Sequence, residues 1–132
     1  MATTVVGSEK VPRLWFPIKE KQTVDYTFTI KDSDDVAIPA ASLTTAILTL
    51  YTPDNGTIIN SRNAQNILNA NNVTISAAGV VVWSLQVADV TIANQQVTEE
   101  THRALFVFTW GGGTKSFPHE VDFVLENLGK LT

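Results

Sequence analysis

Val24-Asp-Tyr-Thr-Phe-Thr-Ile30 alternates apolar and polar side chains along its whole length, and that alternation decides the fold class. Successive side chains of an extended chain point to opposite faces, so Val24, Tyr26, Phe28 and Ile30 share one face and Asp25, Thr27 and Thr29 the other. This is the pattern of a half-buried β-strand. It recurs at Ala46, Leu48 and Leu50, at Val81, Trp83, Leu85 and Val87, and at Val121, Phe123 and Leu125 opposite Glu120, Asp122 and Glu126. Turns rich in Gly, Asn, Asp or Pro separate the runs, so an all-β antiparallel β-sandwich is expected.

The 132 residues suit one core, with residues 1–11 as a flexible arm and 12–132 as a single sandwich domain. There is no cysteine, so stability must come from packing, and no disulfide, thiolate metal site or cysteine nucleophile is available. The formal charge is −4, and the nine basic residues are scattered from Lys10 to Lys130 rather than clustered. That disfavours nucleic acid, whose binding draws on concentrated positive charge. No apolar run is long enough to span a bilayer, and Met1 to Lys10 lacks the pattern of a secretory signal, so a chain made and kept soluble is expected. Only 17% of residues are charged, which is lean for a free monomer and implies that some apolar surface meets a partner.

Arg13-Leu-Trp-Phe-Pro-Ile18 reads as a short apolar strand that Pro17 confines to a sheet edge. Leu43 to Thr52 is a strand closed by the turn Pro53-Asp-Asn-Gly56, whose Asn-Gly supplies positive φ angles. Arg62 to Asn72 reads as loop with a short strand, Asn72 to Ser76 and Gly79 to Val87 as strands. Asp89 is placed to cap one helical turn through about Asn94, before Gln95 to Thr101 crosses to the next strand. Arg103 to Trp110 and Lys115 to Glu126 form a hairpin around Gly111-Gly-Gly113. Within it Ala104, Phe106, Phe108 and Trp110 make one apolar face, and Leu105 and Val107 make the opposite face apolar as well. A strand apolar on both sides is covered on both sides, by the arm, by a loop or by another chain.

No catalytic, cofactor or metal constellation is found. Gly111-Gly-Gly-Thr-Lys-Ser116 has Thr114 before its lysine and an extended segment with Pro118 after it, so it is a hairpin turn rather than a phosphate loop. Asp32, Asp34 and Asp35 lack calcium-loop spacing, and His102 and His119, without a nearby patterned carboxylate, do not define a zinc site. No Gly-x-Ser-x-Gly elbow occurs. The sequons at Asn55 and Asn72 are those expected by chance in an Asn- and Thr-rich chain. Trp15 and Trp110 are the tryptophans left for stacking a sugar, Trp83 being assigned to the core.

Val81-Val-Trp-Ser-Leu-Gln-Val-Ala-Asp89, then Arg103-Ala-Leu-Phe-Val-Phe-Thr-Trp110, a glycine turn and Lys115-Ser-Phe-Pro118 resemble a domain of tailed-bacteriophage structural proteins, the immunoglobulin-like N-terminal domain of baseplate upper proteins. Tyr26-Thr-Phe-Thr-Ile-Lys-Asp32 and Ala46-Ile-Leu-Thr-Leu50 fit the same pattern, and the order matches over roughly residues 18 to 126. Val87-Ala-Asp89 replaces the family's glycine-containing turn, and the link through Gln95 to Thr101 is longer. Family members often carry this module at the front of a longer protein.

The resemblance implies an immunoglobulin-like sandwich with an extended N-terminal arm. It also implies a non-enzymatic virion protein without cofactors, made in the bacterial host cytoplasm and assembling at a baseplate, neck, tail or capsid surface. Its expected partners are other virion subunits and itself as an oligomer, without nucleic acid or membrane. Leu14, Trp15, Phe16, Ile18, Leu105, Val107 and Trp110 are the expected assembly contacts. The alternative is a carbohydrate-binding module for host surface glycans.

Overall fold

The computed structural model describes residues 17–128. The arm 1–11 and the assembly candidates Leu14, Trp15 and Phe16 lie outside them, as does most of the strand expected from Arg13. The chain forms β1 (Ile18–Lys19), β2 (Asp25–Thr29), β3 (Leu43–Tyr51), β4 (Gln65–Asn66), β5 (Val73–Ile75), β6 (Val80–Ser84), β7 (Glu99–Trp110) and β8 (Lys115–Glu126). Short 3₁₀ turns occupy Ala40–Ser42 and Val87–Val90.

Two sheets result, one in the order β1-β8-β7-β3-β4 and one in the order β2-β6-β5. Among the described residues all strand pairings are antiparallel except β1 with β8. This is the arrangement of an immunoglobulin-like sandwich: the long hairpin β7–β8 and β3 build one sheet, and β2, β5 and β6 build the other.

The sheets meet where the alternation places the large side chains. Phe106 on β7 packs edge-on against Phe28 on β2 at 4.9 Å between ring centroids and against Trp83 on β6 at 5.6 Å. Trp83 also meets Phe123 on β8 at 6.1 Å and is 1% exposed. Trp83 therefore lies between the sheets, as its alternation predicts. Its indole N–H, buried here, has no acceptor among the described residues.

Ile18 on β1 lies opposite Leu125 and is fully buried, so it belongs to the core and is corrected from a surface contact to a packing residue. Pro17 lies next to an edge strand, where a missing N–H can point away from the sheet. Among the described glycines, Gly79 is the one pressed against neighbouring backbone. It has φ +81, and a Cβ there would sit 2.5 Å from the Ile38 carbonyl oxygen.

Three local expectations are corrected. The 3₁₀ turn covers Val87–Val90, and its N-cap is Gln86, not Asp89. Asp89 takes the third position instead, where its carboxylate accepts the Gln86 backbone N–H at 2.8 Å. Val87, expected inward with Trp83 and Leu85, is 50% exposed because the chain turns out of the strand before it. β7 begins at Glu99, four residues earlier than the apolar run suggests, so the polar residues Glu100 and His102 already belong to the inward-facing row. The short strand expected within Arg62 to Asn72 is β4.

Candidate functional site: the outer face of the long sheet

Alternation along β7 turns His102, Ala104, Phe106, Phe108 and Trp110 inward, where all are buried. The same alternation turns Leu105 and Val107 outward, where they are half-buried. Val107 has Ile47 of β3 on one side and Pro118 of β8 on the other; Leu105 has Thr49 and Glu120. Ile47, Leu105, Val107 and Pro118 thus form one aliphatic patch on the outer face of the long sheet. Ile47 and Pro118 were not singled out from the sequence. Their signal was the strand register, which places a residue of unremarkable type beside Val107.

At one end of the patch Arg103 grips Asp122 through two parallel hydrogen bonds, Nε to Oδ1 at 2.7 Å and Nη2 to Oδ2 at 3.1 Å. This bidentate pair, with the Asp122 side chain only 7% exposed, holds the Arg103 guanidinium further above its already high ordinary value and fixes the rim of the patch.

The adjoining edge of the sheet is polar backbone. Among the described residues β8 pairs on that side only at Leu125 and Glu126, and Glu20 N–H donates to the Glu126 carbonyl at 2.9 Å. Since Glu126 faces β1, alternation turns the backbone groups of Val124, Asp122, Glu120 and Pro118 the same way. Pro118 has no N–H to offer there, which blunts the edge without removing a bond to β7.

Below this edge, between the two sheets, lies an aromatic cluster. The His119 ring stacks on Phe28 at 4.1 Å and on Phe117 at 6.1 Å, and its Nε2 lies 2.7 Å from Tyr26 Oη. Burial pushes the His119 imidazole below its ordinary value and the Tyr26 phenol above its own. A neutral imidazole accepting the Tyr26 hydroxyl proton satisfies both.

The remaining sequence candidates are placed as follows. Trp110 is 9% exposed at the inner face of β7, so it is corrected from an assembly contact to a core residue and lacks the open ring face that sugar stacking needs, although it borders a cleft of about 300 Å³ with Asp32, Asp34 and Lys115. Asp32 spends Oδ1 on the N–H groups of Asp34 and Val36, and Asp35 pairs with Lys31 at 3.3 Å, which is turn chemistry. No group of three or more His, Cys, Asp or Glu side chains suited to a metal occurs among the described residues.

A second polar cleft of about 260 Å³ lies at the end of the sandwich, lined by residues that include Thr52, Asn55, Asn94 and Glu100. Glu100 anchors its wall: its carboxylate accepts the N–H groups of Ala93 and Asn94, each at 2.8 Å, and meets His102 Nε2 at 2.6 Å. This carboxylate–histidine pair was missed in the sequence, where the signal was a spacing of two on one strand.

No known protein family, curated protein or solved structure matches the chain.

Proposed function

We propose that this chain is a non-enzymatic structural protein of a tailed-bacteriophage virion, assembling at its baseplate, neck, tail or capsid surface through protein–protein contacts. The observation that carries the reading is the outer patch of Ile47, Leu105, Val107 and Pro118, aliphatic side chains held side by side on a rigid sheet and left partly open to solvent. Such a patch, rimmed by an ordered ion pair, has the composition of a contact surface rather than of a reaction centre. The low charge content and the resemblance to baseplate upper proteins support the same reading. The further assembly contacts, Leu14, Trp15 and Phe16, belong to this proposal, with other virion subunits and further copies of the chain as partners.

The test is incorporation into particles. A Val107→Lys variant puts an ammonium in the middle of the patch at an outward position, so the domain should fold with an unchanged melting curve and fail to enter particles. Deletion of residues 1–11 should have the same pair of effects if the arm also makes a contact. Normal incorporation of Val107→Lys would remove the patch from the contact surface.

A further inference from the structure

The turn Thr52-Pro-Asp-Asn-Gly-Thr57 carries chemistry that assembly does not use. Asn55 is exposed and precedes Gly56, whose φ is +74 and around which nothing lies within 4 Å of an added Cβ. The backbone nitrogen of Gly56 therefore has no side chain of its own to shield it. Asn55 Oδ1 accepts hydrogen bonds from three donors: the Thr52 hydroxyl, the Thr57 N–H at 3.2 Å and the Thr57 hydroxyl at 2.9 Å. The Thr57 N–H is shared between Asn55 Oδ1 and Thr52 Oγ1, each at 3.2 Å.

We propose that Asn55 is a self-modifying site, cyclising onto Gly56 and becoming aspartate or isoaspartate with the assistance of Thr52 and Thr57. The Gly56 nitrogen gives its proton to hydroxide and bonds to Asn55 Cγ, and the carbonyl electron pair moves onto Oδ1. The three donors already point at that oxygen, as donors in an oxyanion hole do. The Cγ–Nδ2 bond then breaks, the nitrogen takes a proton from water and leaves as ammonia, and a five-membered succinimide remains. Water reopens the ring at one of its two carbonyl carbons. Attack at Cγ gives aspartate; attack at the backbone carbonyl carbon gives isoaspartate, with the main chain rerouted through the side chain. No oxidant or reductant is involved.

Before reacting, the Gly56 N–H must release the Thr52 carbonyl, which it now holds at 2.8 Å. Opening of that bond is thus a rapid equilibrium ahead of the chemical step, and the fraction of open turn scales the rate. Its product adds a negative charge to a cleft wall that already carries Asp54, Glu99 and Glu100.

The experiment incubates the purified full chain at mildly alkaline pH in heavy-oxygen water and follows each asparagine by peptide mass spectrometry, with fragmentation to separate aspartate from isoaspartate. Asn55 is expected to convert ahead of every other asparagine, incorporating one heavy oxygen, and Asn55→Gln to abolish the signal. Thr57→Val keeps the shape of the exposed side chain and removes its hydroxyl, and it should slow conversion about five- to tenfold, the scale of one neutral hydrogen bond in the transition state. Thr57→Ser, which keeps the hydroxyl, should track the parent. An intact Asn55 while other asparagines convert would overturn the proposal, as would a Thr57→Val protein of unchanged melting curve that converts as fast as the parent or faster.

Discussion

Arg62 and Asp89, 27 residues apart in the chain, form an ion pair of 2.6 Å in which neither side chain is more than 1% exposed. The guanidinium also donates to Gln65 Oε1 and the Asn71 carbonyl and lies 5.7 Å from the centroid of the Trp83 ring. The carboxylate also takes the Asn60 side-chain amide and the Gln86 N–H. One pair thus fastens the irregular segment around residues 60–72 to the 3₁₀ turn at Val87–Val90.

Removing one partner strands the other as a buried charge. Asp89→Leu or Arg62→Met should each cost about 3–5 kcal/mol in reversible denaturation, while the double replacement should cost clearly less than the sum of the two. Additive losses would mean that the two side chains are not energetically coupled.

Trp83 fills the space between the sheets beneath that pair. Trp83→Ala should cost about 3–5 kcal/mol, the range for deleting a large buried aromatic. Trp83→Phe should cost less, because it leaves a smaller cavity and removes an indole N–H that has no acceptor among the described residues. Urea titration of the two variants checks both; a loss below about 1 kcal/mol for the alanine variant would place Trp83 outside the core.

Acid should weaken the fold in two steps. His119 is held below its ordinary value of 6.5 by burial, so the unfolded chain takes up a proton before the folded chain does. Stability therefore rises with pH across that window and is lost as pH falls from the ordinary histidine value through the folded one. Burial alone would raise the Glu100 carboxyl; the Ala93 N–H, His102 and the Asn94 N–H outweigh it and hold the group below its ordinary 4.5. That contribution is present above the unfolded glutamate value and disappears in stronger acid. His119→Phe, placed among Phe28, Phe106 and Phe117, should flatten the first step of a melting-temperature profile against pH and leave the second; an unchanged first step would show that His119 does not carry it.

The fold was legible because strand alternation survives in the sequence. Phe28 lies between Thr27 and Thr29, Trp83 and Phe123 each have one polar neighbour, and Phe106 keeps its place in the row Ala104, Phe106, Phe108; all four pack in or against the core, as the pattern requires. The patch was half legible: Leu105 and Val107 broke the alternation of β7, whereas Ile47 and Pro118 join them only through cross-strand pairing, which is long-range. The Arg62–Asp89 pair was illegible for the same reason. Arg62 lies in a polar stretch and Asp89 between Ala88 and Val90, and only the folded chain, by burying both, gives them a common role. Val87 misled because a 3₁₀ turn ends the strand while the apolar periodicity continues.

The central claim is that the chain is built into a virus particle, and a mass-spectrometric inventory of purified particles from cells that produce it tests this most directly. The account predicts that the chain is recovered with the particles after density-gradient purification, in a fixed ratio to the other structural proteins. Its absence from intact particles, with the chain found only in the free protein fraction, would contradict the account.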